Sequence, residues 1–376
     1  MPRDFTARIG HLKAQGRYRR CSISDSGIDF TSNDYLAFAQ LPILQEAAIS
    51  FFQAGGAVGS AASRLLRGYM DEHSALEKFA QTYFSAPSAL FFISGFQANY
   101  TLLTTIADRG DVVIFDSLIH ASSRDGVQAS LAKHIRAEHN DLSSYELSLK
   151  KAKEMARGQI YIAVESVYSM DGDEAPLAAL YELACAYDAI LIIDEAHGVG
   201  VSGPNGKGLS ESLVEREGYE RIITVHTCGK ALGAAGALIC GREDIIDYMI
   251  NAGRGFIYST ASMPVQAHIV RKSLELLQAE QGIQQRQKLS VICKLAKELL
   301  GGHGTHIVPV MIGDDAQALR VSQAMQDKGY DVRAIRYPTV PKGSARLRVS
   351  LNADLSEEDL RGFCEALSLL LKSEAA

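Results

Sequence analysis

No stretch of this 376-residue chain approaches the ~18 consecutive apolar residues that a membrane span needs, so no transmembrane helix is expected. The opening residues, Met1 to Gly10, lack the apolar centre of a signal peptide. The six cysteines (Cys21, Cys185, Cys228, Cys240, Cys293 and Cys364) form no CxxC pair. They are read as free, buried thiols of a reducing cytoplasm, which is the expected compartment. No internal repeat, low-complexity tract or GxxxxGK[ST] phosphate loop is present. Excess positive charge is also missing. A net charge of −6 argues against nucleic acid or an anionic membrane as the main partner, but not against a small anion held locally.

What is present is a globular composition, 47% hydrophobic. The chain is longer than one core usually grows, so at least two domains are expected. Short apolar runs alternate with amphipathic stretches. Ala89 to Ile93, Val112 to Phe115, Ile160 to Val164, Ala189 to Ile193, Ile222 to Val225 and Ala237 to Cys240 read as buried strands with helical patterns between many of them. That order predicts an α/β fold with a mostly parallel sheet. Beyond about Ser262, helical patterns over Val265 to Gln281 and Gln284 to Leu300 precede strands near His306 to Met311, Asp331 to Ile335 and Arg346 to Leu351. The expected organisation is an N-terminal segment over 1–38, a large α/β domain over 39–262 and a smaller C-terminal α+β domain over 263–376.

Chemistry concentrates where these strands end. The run Ala189 to Ile193 closes on Asp194, and His197 follows three residues later. Ligands of open α/β sheets bind beyond the carboxyl ends of strands, and a carboxylate there needs a cation or several donors. Such an acid can also simply cap a turn. Asp194-Glu195-Ala196-His197 spells the metal-binding motif of certain helicases, but those need the missing phosphate loop, and no metal is expected. After Ile222 to Val225 comes His226-Thr227-Cys228-Gly229-Lys230, followed by small residues up to Ala237. A lysine beside glycine is usually solvated. Small neighbours, however, let a ligand approach closely, and a desolvated lysine works as a base or forms a Schiff base. Phe91 to Asn99 reads as strand, then Ser94-Gly95, then helix, which offers amides and a helix dipole to a phosphate. His120 follows the strand ending near Phe115, where a core or surface histidine is the default reading. Glu165 to Asp173 follows another strand. Arg346 and Arg348 share one face of a strand pattern, and arginine suits a bidentate carboxylate.

Taken together and in order, these segments resemble the α-oxoamine synthases, from about Phe30 to Asp359. That family has the fold-type-I architecture of pyridoxal-phosphate enzymes, also seen in aspartate aminotransferase. It condenses an amino acid with an acyl thioester and releases carbon dioxide. The resemblance implies pyridoxal 5′-phosphate carried as a Schiff base on Lys230. It implies Asp194 against the pyridine nitrogen, and Gly95, Phe96 and Thr227 at the phosphate. His197 and Ser169 would lie near the phenolic oxygen, with His120 stacked on the ring. Lys230, His120, Asp194 and His197 are the implied catalytic groups. Arg348 would hold the amino-acid carboxylate, and Asn33, in Ser32-Asn33-Asp34-Tyr35-Leu36, would be near the substrate. Ser259 and Thr260 match a segment that reaches the neighbouring subunit's site, which implies a homodimer. Arg17, Arg19 and Arg20 are basic residues that could lie at a tunnel mouth, with Arg17 taken as a substrate contact.

Within the family, Ala334-Ile335-Arg336-Tyr337-Pro338-Thr339-Val340-Pro341 and Ser169-Met170-Asp171-Gly172-Asp173 most resemble one branch. That branch condenses L-alanine with a pimeloyl thioester, on coenzyme A or an acyl-carrier protein, in biotin biosynthesis. There are departures. Ala61-Ala62 stand where the family mostly has Gly-Gly, Arg67 where serine is usual, and Tyr337 in place of a proline. Tyr337-Pro338 with Lys342-Gly343 is similar to the branch that uses glycine and acetyl-CoA. A plain aminotransferase on the same fold would share Asp194 and Lys230 but not the whole motif set.

Overall fold

The computed structural model describes residues 4–21, 23 and 27–375; the outer ends of the expected N- and C-terminal units, 1–3 and 376, lie outside these. The strands, in chain order, begin with β1 (Ile28–Asp29), β2 (Ser88–Phe92), β3 (Val112–Asp116) and β4 (Lys133–Ala137). They continue with β5 (Ile160–Glu165), β6 (Ala189–Asp194), β7 (Ile222–Thr227) and β8 (Ala237–Gly241). The last four are β9 (Ile307–Gly313), β10 (Tyr330–Asp331), β11 (Arg333–Ile335) and β12 (Ala345–Ser350).

The large sheet has seven strands in the order β2-β8-β7-β6-β5-β3-β4, and β8 runs antiparallel to both its neighbours. The rest of the ladder is parallel. Every residue of β3, β5 and β6 is buried. Their near-continuous apolar runs are what a sheet covered on both faces requires. Two apolar clusters form, one on each face: Ile114, Ile162 and Leu191 point into one, and Val113, Ala163 and Ile192 into the other. Sequence reading misses β4, because this edge strand (Lys133-His134-Ile135-Arg136-Ala137) is polar and largely exposed.

The smaller sheet, β11-β12-β9, is antiparallel. The helix Pro264–Gln278 packs on the helices Pro42–Gln53 and Asp71–Phe84. The N-terminal segment is stitched to the C-terminal strands. β1 pairs with β10, Ser350 donates to the Phe30 carbonyl at 2.9 Å, and Ala353 to that of Tyr35 at 2.9 Å. Phe30 packs against Phe363 with ring centroids 4.3 Å apart. These ties set the position of Asn33 and Tyr35. All six cysteines are free, as expected, but burial holds for Cys228, Cys240 and Cys293 alone; Cys21 and Cys185 are exposed. Among the described residues, no helix is long and apolar enough to cross a membrane.

His139 clasps two loops that reach the ends of the strands. Its Nδ1 lies 2.9 Å from Asp116 Oδ1, at the end of β3, and its Nε2 lies 2.7 Å from Asp173 Oδ2. The Asp116 carboxylate also accepts from the Leu118 and Asn140 amides and the Tyr145 hydroxyl. With an acceptor at each ring nitrogen, the imidazole carries both protons. Burial opposes that charge, but the hydrogen bonds to Asp116 and Asp173 outweigh it and push the group up to about 10. The sign follows directly: a raised folded pKa stabilises fully below the unfolded value and is lost as pH rises through the folded one. The native state is therefore expected to weaken from about pH 6.5 to about pH 10. His139→Gln is expected to cost about 1–3 kcal/mol at neutral pH and to flatten that slope. Urea titrations of both proteins across the window check this, and parallel slopes would refute it.

Candidate active site

The carboxyl ends of β3, β5, β6 and β7 face one cavity, the place where open α/β sheets bind ligands. Glu165 and Asp194 are register partners on β5 and β6, so two carboxyl groups stand side by side at its floor. Asp194 Oδ1 accepts from the Ala196 amide at 2.9 Å, and Oδ2 from Asn99 Nδ2 at 2.6 Å. Asn99 is held in turn by Ser122 Oγ at 3.1 Å. No cation among the described residues bonds to Asp194. Glu165 Oε2 accepts from the Ser169 amide at 3.2 Å, while its buried Oε1 meets no hydrogen-bond geometry with any described residue. Burial first, and the charge of Asp194 second, push Glu165 up to about 8, so it carries a proton at neutral pH.

Lys230 follows β7 and meets these acids from the other side. Its Nζ lies 2.8 Å from His197 Nε2. His197 Nδ1 lies 2.7 Å from the Tyr35 hydroxyl, which donates to Asn33 Oδ1 at 2.8 Å. Burial, reinforced by Lys230 and Arg348, holds His197 well below its ordinary range, so the ring is neutral. One proton arrangement satisfies the chain. Lys230 donates to Nε2, Nδ1–H donates to the Tyr35 oxygen, and the Tyr35 hydroxyl donates to Asn33. Burial draws Lys230 down to about 8 against the pull of Asp194 and Glu165, which makes its uncharged amine accessible near neutral pH.

Arg348 is 8% exposed and has no carboxylate partner among the described residues. Its donors go to neutral oxygens: Nε to the Ser169 carbonyl at 2.6 Å, Nη1 to Ser350 Oγ at 2.7 Å and Nη2 to Tyr35 Oη at 3.3 Å. A buried guanidinium so held is prepared for an anion. Arg346, two residues earlier on the same strand face, is instead ion-paired with Asp171. His120 caps the helix Ala121–Ala129: its Nδ1 accepts from the Ser122 amide at 3.2 Å and lies 2.7 Å from Ser122 Oγ. Its free ring edge lines the cavity. Across from it, Ser94 caps the helix Gly95–Ile106, with the first amides of that helix next to Thr227. A Cβ on Gly95 would come within 2.5 Å of Thr227 Oγ1, so glycine is required for this approach.

Gly95, Phe96, His120, Asp194, His197, Thr227 and Lys230 thus line one cavity, and Asn33, Ser169 and Arg348 reach it through hydrogen bonds. Two expected residues lie elsewhere in this protomer. Thr260 bridges to Ser63 beside Arg64 and Phe256. Arg17 lines a neighbouring groove with its guanidinium over the Tyr337 ring, 5.2 Å from the centroid. Sequence reasoning did not single out Asn99, Tyr35 or Glu165. The signals were present: Asn99 lies one turn past the Gly95 turn, Tyr35 lies two residues after Asn33, and Glu165 ends an apolar strand as Asp194 does.

A lysine beyond one strand and an acid at the end of another, with a side-chain-capped helix start lining the same cavity, are the arrangement of a pyridoxal-phosphate transferase of fold type I. Residues 25–367 match the family described as aminotransferase class I and II. The chain is 38% identical to 8-amino-7-oxononanoate synthase of Herminiimonas arsenicoxydans, over 96% of this chain and 98% of that one. A solved 8-amino-7-oxononanoate synthase from Francisella tularensis is 29% identical with a TM-score of 0.77, covering 94% of this chain and 100% of that one. A serine palmitoyltransferase from S. paucimobilis, solved with a bound PLP–myriocin aldimine, shares the fold with a TM-score of 0.87 at 24% identity, covering 99% of each chain. The chain belongs to the class I and II aminotransferases and, within them, to the α-oxoamine synthases, which are pyridoxal-phosphate-dependent acyltransferases. The residues fit that cofactor. Asp194 is a buried carboxylate to which no cation among the described residues bonds, Lys230 is a desolvated amine, and Gly95 and Thr227, too close together for any side chain at position 95, line the cavity beside the helix start.

The hydrogen-bond chain makes a direct demand on Tyr35. Removing its oxygen strands the His197 Nδ1–H and one donor of Arg348, both buried. Tyr35→Phe is expected to cost about 1–3 kcal/mol of stability in chemical denaturation, because buried donors lose their acceptor. A cost below about 0.5 kcal/mol, the lower end for a single hydrogen bond, would mean that these bonds are not made.

Proposed function

We propose that the protein condenses L-alanine with a pimeloyl thioester, on coenzyme A or an acyl-carrier protein, releasing carbon dioxide and the thiol carrier and forming 8-amino-7-oxononanoate for biotin biosynthesis. It would act in the cytoplasm as a homodimer. The observation that carries the reading is the buried, acid-free Arg348 hydrogen-bonded to the Tyr35–His197–Lys230 chain: a carboxylate-bearing amine placed there meets a desolvated amine base. The 38% identity over nearly the full length of a synthase so named supports the choice of reaction.

Lys230 would hold the cofactor through its amine, Asp194 would face the ring nitrogen, and Thr227 with the Gly95 and Phe96 amides would hold the phosphate. When bound, pyridoxal phosphate supplies an electron sink for the pair left on the amino acid's α-carbon. The other steps belong to the chain. Arg348 would hold the alanine carboxylate as a fork and fix which α-bond faces Lys230. Lys230 would move the α-proton, and a pKa near 8 suits an amine that takes and returns a proton close to neutral pH. His197, neutral and anchored by Tyr35, would orient the Lys230 amine. His120 would press on the cofactor ring, and Asn33 and Ser169 would line the substrate side. Thr260 lies away from its own chain's cavity, which is compatible with a role in a partner's site; Arg17 would contact the acyl donor.

Two outcomes check the reading. Lys230→Ala should fold yet lose turnover, the visible band of a Schiff base between the cofactor and the chain, and borohydride fixation of cofactor to the chain; retention of the latter two would refute the assignment. For wild type, kcat/KM with pimeloyl-CoA and alanine should exceed that with acetyl-CoA and glycine. Several buried methylenes at about 0.8 kcal/mol each favour the longer chain. A preference for the acetyl pair would overturn the donor assignment.

A further inference from the structure

A second cavity, of about 520 Å³, opens beside the first, and His120 lines both. That volume suits a ligand of modest size, such as an acyl chain with its end group, rather than a whole nucleotide carrier. Leu118, Ile119, Met170 and Val340 give it apolar walls. Three guanidinium groups also reach it, from Arg19, Arg124 and Arg346, against a single lining carboxylate, Asp171, which is already paired with Arg346. The cavity therefore couples an apolar interior to uncompensated positive charge.

Arg124 stands one helical turn beyond His120, on the helix Ala121–Ala129. Its Nη2 donates to the carbonyls of Ser117 at 3.0 Å and Ile119 at 3.3 Å, which fix the head group without neutralising it. Among the described residues no acid pairs with it, and its Nε and Nη1 make no hydrogen bond. Arg19 is tethered less firmly, through Nη2 to Thr339 Oγ1 at 3.4 Å. An acyl group delivered to the α-carbon beside His120 would lie along the apolar walls with its far end toward these cations.

We propose that Arg124 recognises a carboxylate at the distal end of the acyl chain, which makes the donor class an ω-carboxyacyl thioester. This rests on the reaction proposed above and names what selects its donor. The competing source of negative charge is the phosphate of the thiol carrier, and the experiment separates the two.

The test measures kcat/KM with alanine for pimeloyl and octanoyl groups, each on coenzyme A and on phosphate-free N-acetylcysteamine. It uses the cofactor-loaded wild type, Arg124→Gln and Arg124→Lys. Loss of a charge-assisted hydrogen bond predicts that Arg124→Gln lowers the pimeloyl-to-octanoyl ratio roughly ten- to a hundredfold on either carrier. Arg124→Lys, which keeps the charge but loses the fork, should fall between. A ratio unchanged within a few-fold overturns the proposal. So does a loss confined to coenzyme A thioesters of both chains, which would assign Arg124 to the carrier phosphates. A wild type that turns over no pimeloyl thioester with alanine sinks the parent reading and this one with it. A wild type that does so, with a ratio indifferent to Arg124, sinks this one alone.

Discussion

Two adjacent parallel strands end on carboxyl groups in register, Glu165 on β5 and Asp194 on β6, and the charge balance of the site follows from that pairing. Like charges this close, away from water, cannot both persist cheaply. Glu165 takes the proton, and Asp194 keeps its acceptor role with Asn99 and the Ala196 amide as donors. Lys230, buried nearby, is drawn down by burial and held up chiefly by Asp194, so its amine sits where a small change in surroundings moves its proton. Separating β5 from β6 by a one-residue slip would turn one carboxyl to the other face of the sheet and dissolve the balance.

A site balanced this finely needs rigid boundaries, and they come from distant parts of the chain. Asn33 and Tyr35 belong to the N-terminal segment, yet they are fixed by β12 and the residues after it, through the Ser350 and Ala353 amides. Arg348 comes from β12 itself and is braced on the Ser169 carbonyl of the β5 loop. That loop is clasped by His139 to the Asp116 turn, four residues before His120. Thus the histidine facing the cavity, the buried arginine held by neutral oxygens and the turn carrying Ser169 share one network. A displacement in any of them is transmitted through hydrogen bonds rather than absorbed by loose packing.

How much of this could be read from sequence depended on the kind of signal each part leaves. Strands buried on both faces advertise themselves as apolar runs, so β3, β5, β6 and β7 were legible, and with them the acid and lysine at their ends. The polar edge strand β4 leaves no such run. The motif residues around Lys230 and Asp194 were legible because small residues and strand ends restrict what can stand there. Asn99 was harder, because a helical asparagine looks alike whether it faces solvent or braces a buried carboxylate. Glu165 shares the strand-end pattern of Asp194, but its elevated pKa arises from a neighbour 29 positions away in sequence, which only the sheet register brings close. Arg124 carries no local mark at all, since a helical arginine is usually solvated. Its interest comes from the walls opposite it.

The Ala61-Ala62 departure shows how the fold absorbs an unfavourable choice. Ala61 has φ of 57°, the left-handed region in which glycine is at ease and other L-residues cost roughly 1–2 kcal/mol. Such a residue persists when its surroundings over-determine it, and here they do. Ser60 Oγ donates to the Ser262 carbonyl at 2.5 Å, His73 Nε2 lies 3.0 Å from Ser262 Oγ, and Ala261 donates to the Ala62 carbonyl at 3.0 Å. Ser63 and Thr260 form an isolated bridge in the same place. The two segments behave as one strapped unit, so the strain at Ala61 is held by bonds that also fix Thr260.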